Sequence, residues 1–221
     1  MKRSILFLLF SISITSLVPA QKSISFRNAE KYNPDLYKEY RGTPYFFSDF
    51  TFGWITGADG VEYDKVKMNY NGHTESFEVL EGDRFISLQE APYKSIVLLE
   101  PETQDTITFI RGVHADFAGK FIQLLYQSDQ LTMVNQFSIN LVENQVNTVG
   151  RTDVLKRFKP QNSYYVKLKK EPKLLLLKSN KKSWAQAFGN KKEIDSFIKE
   201  NKLNLSKQED MVRLLKHIEK L

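Results

Sequence analysis

Cysteine is absent from all 221 residues. That removes thiol nucleophiles, thiolate zinc sites, Cys-ligated iron–sulfur clusters and disulfides together. A domain of this size needs no disulfide, because its core can suffice. Histidine is nearly as scarce: His73, His114 and His217 lie far apart, and none has a second ligand at helical i, i+4 spacing. The ten glycines form no G-x-S-x-G elbow, no Walker loop and no G-x-G-x-x-G turn. After residue 20 no apolar run reaches the roughly 20 residues of a membrane-crossing helix, and neither an internal repeat nor a low-complexity tract occurs.

The first twenty residues make the most specific statement in the chain. Lys2 and Arg3 precede the 13-residue run Ile5–Leu17, broken only by small hydroxyl residues, and Val18-Pro19-Ala20 offers small side chains at −3 and −1 of a cleavage site. Residues 1–20 therefore read as a cleaved signal peptide. The expected product is an exported protein, periplasmic or secreted, with no transmembrane segment after cleavage. Hydrophobic content of 41% and aromatic content of 13% fit a packed protein rather than a disordered one.

Charge is unevenly spread. Residues 21–150 hold 11 Lys/Arg against 18 Asp/Glu, a net of −7, whereas residues 151–221 hold 19 against 8, a net of +11. Such an asymmetry implies internal pairing or an anionic partner for the tail.

The pattern divides likewise. Asn33-Pro34-Asp35 opens a short helix-like segment through Tyr40. Period-two runs then follow: Phe52–Thr56 and Val61–Tyr70 around Gly57-Ala58-Asp59-Gly60, His73–Leu80 after Asn71-Gly72, and Arg84–Leu88 after Glu81-Gly82-Asp83. Lys94–Leu99 pairs with Thr106–Arg111, and Phe121–Gln127 with Leu131–Val142. Asn71-Gly72 reads as a two-residue hairpin turn whose glycine takes positive φ. Polar residues 143–162 read as a loop or linker. Ser163–Lys169 and Leu174–Leu177 resume the strand pattern, and the last forty residues turn helical, with Ser206 and Glu209 spaced as a capping box. The expected fold is mainly β with C-terminal helices (α+β): a curved antiparallel sheet or open barrel-like meander plus a small helical module. Residues 21–150 are the β-rich domain, and residues 151–221 a basic β-hairpin plus helices packed on it.

Candidate chemistry is sparse. Asp59, Glu62 and Asp64 around one turn are too few for a calcium loop, and Glu75 and Glu78 alternate across a strand. His114-Ala115-Asp116 is a short pairing common by chance. No catalytic, metal or cofactor site is assigned. Two binding surfaces are: aromatic residues Tyr45, Phe47 and Trp54, from a cluster suited to stacking on sugars or lining an apolar cavity, and an anionic-surface patch of Lys167, Lys169, Lys170, Lys173, Lys181 and Lys182. Their partners would be anionic lipid, polysaccharide or another envelope protein. Nucleic acid is not expected.

Gly42-Thr43-Pro44-Tyr45, Trp54-Ile55, the Asp59-Gly60…Tyr63 hairpin, Tyr164-Tyr165 and the tail Glu193-Ile194…Phe197-Ile198…Asn201 to Leu205 resemble a pattern in uncharacterised secreted β-rich proteins of Bacteroidota-type bacteria. The resemblance covers most of residues 40–221. It implies an envelope location and brings no activity or catalytic residue. The leading expectation is a non-enzymatic binding module. A periplasmic carrier of lipid or another hydrophobic ligand, and a hydrolase of envelope polymers, are the alternatives. Export predicts a mature chain beginning at Gln21. N-terminal sequencing of envelope material checks this, and an intact Met1 in the membrane pellet would refute it.

Overall fold

The computed structural model describes residues 30–31, 33, 35–88, 93–148 and 151–221. The proposed signal peptide lies outside them. Eleven strands form one antiparallel sheet: β1 (Glu30–Lys31), β2 (Thr51–Gly57), β3 (Glu62–Asn71), β4 (Ser76–Glu81), β5 (Arg84–Ser87), β6 (Tyr93–Leu99), β7 (Thr106–Ile110), β8 (Ile122–Gln127), β9 (Leu131–Thr148), β10 (Arg151–Leu168) and β11 (Leu174–Leu177). Their order is β1-β5-β4-β3-β2-β6-β7-β8-β9-β10-β11. Three helices follow, α1 (Lys181–Phe188), α2 (Lys191–Glu200) and α3 (Gln208–Ile218). The expected β-rich α+β architecture is thus observed, as an open sheet with C-terminal helices.

Local chemistry explains the hairpins. In the β2–β3 turn Gly60 takes φ +80°, where a side chain would be strained, and the Asp59 carboxylate accepts a bond from Val61 N–H at 3.1 Å. Gly82 does the same work between β4 and β5 at φ +63°.

Four local expectations are corrected. Asn71-Gly72 is not a two-residue turn: Asn71 ends β3, the loop runs over 72–75, and the left-handed residue is Glu75 at φ +54°. In the stretch 143–162 expected as a loop or linker, residues 143–148 and 151–162 are instead parts of two 18-residue strands, β9 and β10, paired along their whole length. Their outer stretch, with Glu143, Asn144, Gln145 and Val154 exposed, is a ribbon wetted on both faces, so no alternation marks it. Pro160 is tolerated because β11 pairs only with Tyr164–Lys167, leaving β10 without a strand partner among the described residues at that proline's N side. The capping box does not form: α3 starts after Lys207, with Ser206 inside the preceding turn, and the Asp210 carboxylate instead accepts a bond from Asn204 N–H at 2.8 Å. Residues 35–40 make successive i→i+3 turns rather than a helix.

Two hydrophobic cores share one sheet face. Odd-numbered β9 side chains show the arrangement: Leu131 and Met133 join Trp184, Ile194, Met211, Leu214 and Leu215 under the helices, while Phe137 joins Tyr70, Phe77, Phe109 and Phe121 further along. Between them lies Asn135, fully buried. A third, smaller cluster on the opposite face joins Ile122 and Val134 to Val113 and Phe117 of the β7–β8 loop.

The aromatic core shows how strongly the sheet curls. Phe77 of β4 meets Phe109 of β7 and Phe121 beside β8, each at 5.1 Å between ring centroids, although β3, β2 and β6 stand between β4 and β7 in sheet order. The segment Arg41–Phe47 spans the remaining gap. Arg41 exchanges backbone bonds with the β10 residues Lys156 and Phe158, and Phe46 N–H donates to Tyr70 O at 2.8 Å. Gly72 N–H donates to Pro44 O, and Gly72 O accepts from Ile139 N–H, both at 2.8 Å.

Gly72 is therefore a glycine for want of room, since an added Cβ would lie 2.7 Å from Phe137 Cε1 and 2.9 Å from Ile139 Cγ1. Phe137 is held against Phe46 and Ile139 is buried, so neither yields freely. Gly72→Ala is expected to destabilise the fold by about 1–3 kcal/mol through overpacking. Chemical denaturation reads this as a lowered midpoint, and an unchanged midpoint would contradict the close approach.

Candidate functional site

The β7–β8 loop leaves the sheet at Gly112, whose φ of +74° turns the chain back over the sheet face opposite the helices. Three contacts hold it there. Phe117 packs edge-on against Tyr165 at 5.2 Å. The Lys167 ammonium donates to Val113 O at 2.9 Å. His114 Nε2 donates to Pro172 O at 2.9 Å, while Nδ1 accepts from Asp116 N–H at 3.2 Å. One neutral tautomer, protonated on Nε2, satisfies both imidazole bonds. His114 and Asp116 thus cap the short 3-10 helix Ala115–Phe117, a structural use of that pair.

Between this loop and the sheet lies a pocket of about 510 Å³. Four cations line it. Lys94 is the second residue of β6 and Arg111 follows β7, joined by Arg111 N–H to Lys94 O at 3.2 Å. Lys167 lies at the end of β10, paired with Thr132, and Lys169 just follows it, its N–H bonding Gln130 O. The Arg111 guanidinium sits 4.0 Å over the Phe121 ring, and burial lowers its pKa from the ordinary value, though arginine stays charged near neutrality. None of the described residues lining the pocket is acidic. The Asp129 carboxylate lies 3.8 Å from Lys169 but is itself fully exposed. Ser95, Gln127 and Thr132 add neutral polar groups. This arrangement suits a compact anion: charge supplies attraction, and the hydroxyls and amide supply direction.

The other lysines of the expected patch are placed differently. Lys170 and Lys173 are exposed in the β10–β11 turn, and Lys181 and Lys182 are exposed in the first turn of α1. Only Lys167 and Lys169 line the pocket. Lys94 and Arg111 escape a reading by sequence proximity, yet a signal exists: pairing Lys94–Leu99 with Thr106–Arg111 already sets these two cations at the open end of one hairpin.

The three aromatic candidates are not brought together. Tyr45 donates from its hydroxyl to Glu78 Oε2 at 2.7 Å. Trp54, half-buried, alternates with the core residue Ile55 and faces the other side of the sheet. Phe47 lines a separate cleft beside α3. Glu78 is largely buried, and its second oxygen accepts from Asn71 Nδ2 at 2.8 Å. Both oxygens are thus held by protein groups. Burial raises the Tyr37 and Tyr70 pKa values, keeping both phenols neutral at ordinary pH. Glu75 pairs with Lys120. Among the described residues no group of three or more His, Asp or Glu could hold a metal ion, and no helix is long and apolar enough to cross a membrane.

Comparison with known proteins finds no matching family, no matching curated protein and no matching solved structure.

The Lys167–Val113 bond ties the loop to the sheet. Lys167→Met keeps the aliphatic stem and removes the donor, which is expected to cost about 1.5–3 kcal/mol for a charge-assisted bond. Hydrogen exchange at the loop amides of Phe117 and Lys120, bonded to His114 O and Phe117 O, should accelerate at least tenfold. Unchanged exchange there would mean that the aromatic packing alone holds the loop.

Proposed function

We propose that this chain is an exported, non-enzymatic binding module of the cell envelope whose ligand presents a compact anionic group, phosphate or carboxylate. One observation carries the reading: Lys94, Arg111, Lys167 and Lys169 line one pocket, with no acidic residue in its described lining. The signal-like start of the chain supports export. Anionic lipid headgroups and acidic polysaccharide share the required chemistry. At an anionic membrane each surface lysine contributes about 1 kcal/mol, fading as the screening length falls from about 10 Å at 0.1 M salt to about 3 Å at 1 M.

The mature chain, titrated calorimetrically with inorganic pyrophosphate at low salt, is expected to bind saturably. A Lys94→Glu/Lys169→Glu variant, or 0.5 M sodium chloride, should weaken binding at least tenfold. Co-sedimentation with phosphatidylglycerol vesicles then separates a lipid surface from a soluble anion. Absence of saturable binding at low salt, or equal binding by the folded double variant, would overturn the proposal.

A further inference from the structure

On the opposite face of the sheet, a cleft of about 620 Å³ lies between the β6–β7 turn and the flank of α3. Its apolar wall comes from Phe46, Phe47, Ile107 and Val212, and Gln123 of β8 reaches it from below. Gln123 is only 5% exposed. Its Oε1 accepts from Asn135 Nδ2 at 2.8 Å, and the same Nδ2 donates to Asn162 Oδ1 at 2.8 Å. The Gln123 Nε2 group has no hydrogen-bond partner among the described residues, and Asn135 Oδ1 is a buried acceptor without one. Reversing the amides does not mend this. It exchanges donors for acceptors along the row and still leaves one Gln123 atom for the cleft.

Gln123 is nearly all buried and bonds the protein through Oε1 alone, so its Nε2 edge, open to the cleft, is a ready partner for a ligand seated there. The ligand must offer polar groups able to donate or accept, on a body that packs against phenyl rings. Glu100, Asp105 and Glu209 at the rim outnumber Arg213 and Lys216, which disfavours a polyanion. We infer that this cleft is a second binding site, distinct from the basic pocket, and that it takes a neutral saccharide. Sugar hydroxyls both donate and accept, and the C–H face of a pyranose ring packs on aromatic rings such as those of Phe46 and Phe47.

Two-dimensional NMR of the mature chain tests this with four neutral hexasaccharides, cello-, malto-, laminari- and chitohexaose, and with a neutral hexapeptide of alanine, serine and glutamine. At least one saccharide should shift the Gln123 side-chain amide and Lys216 backbone resonances saturably. Gln123→Leu, and independently Thr106→Arg at an exposed lining position, should weaken that binding at least tenfold without altering pyrophosphate binding. If no saccharide shifts Gln123, if only the peptide does, or if the folded Thr106→Arg protein binds as before, the inference fails.

Discussion

Gly72 is where three stretches of chain meet at backbone distance: the end of β3, the Arg41–Phe47 segment and the middle of β9. The two bonds it makes, to Pro44 and Ile139, hold together parts of the sheet that its strand order sets far apart. The aromatic core depends on that meeting. Tyr70 and Phe77 can reach Phe109, Phe121 and Phe137 only if the sheet is rolled until β3 and β4 face β7–β9. A side chain at position 72 would wedge the roll open where its rings are most tightly packed. A contact worth little as two hydrogen bonds thereby controls the burial of several aromatic side chains, each contributing some 1.5–3 kcal/mol.

Rolling the sheet also separates two environments. Among the described residues, the inner face carries two apolar cores in tandem, and the outer face carries the smaller patch covered by the β7–β8 loop. Among the described residues, little of the charge asymmetry is spent in joining the two halves. Lys156–Glu143 and Lys169–Asp129 span them at 3.6 and 3.8 Å, both among exposed side chains. Such pairs contribute about 0–1 kcal/mol each. The basic surplus of the tail therefore stays at the surface, and where β10 passes under the folded loop it meets two more cations from the β6–β7 hairpin.

Strands whose two faces differ in wetness were legible from alternation, and β2, β3, β6 and β7 fall within a residue or two of the period-two runs, while β11 coincides with the apolar run Leu174–Leu177. The failures share a cause: the relevant environment was not local. Asn71-Gly72 has the composition of a tight turn, but its glycine answers to Phe137 and Ile139, more than sixty residues away. The outer stretch of the β9–β10 ribbon, where Glu143, Asn144, Gln145 and Val154 are exposed, lacks an alternating dry face among its described side chains. Of the expected lysine patch, Lys167 and Lys169 enter a pocket because a loop 50 residues earlier folds over them, and nothing in their own neighbourhood distinguishes them from Lys170. Tyr45, Phe47 and Trp54 are close in sequence but lie along a segment that crosses from the barrel-like gap into an edge of the core, so successive rings take different partners.

The seam between the two inner cores explains why a polar row persists in so apolar a setting. The helical core needs β9 to present Leu131 and Met133, and the aromatic core needs Phe137, so position 135 falls between two packing systems with different neighbours. An apolar residue there would fuse them. Asn135 instead bonds Gln123 and Asn162, fixing the register of β8, β9 and β10 at the expense of one orphaned acceptor. Leaving a buried polar atom unpaired costs about 1–3 kcal/mol, so the row is a poor choice for stability alone. It becomes intelligible if the cleft beside α3 needs an amide at its base, because only a polar residue on β9 could hold Gln123 in that orientation.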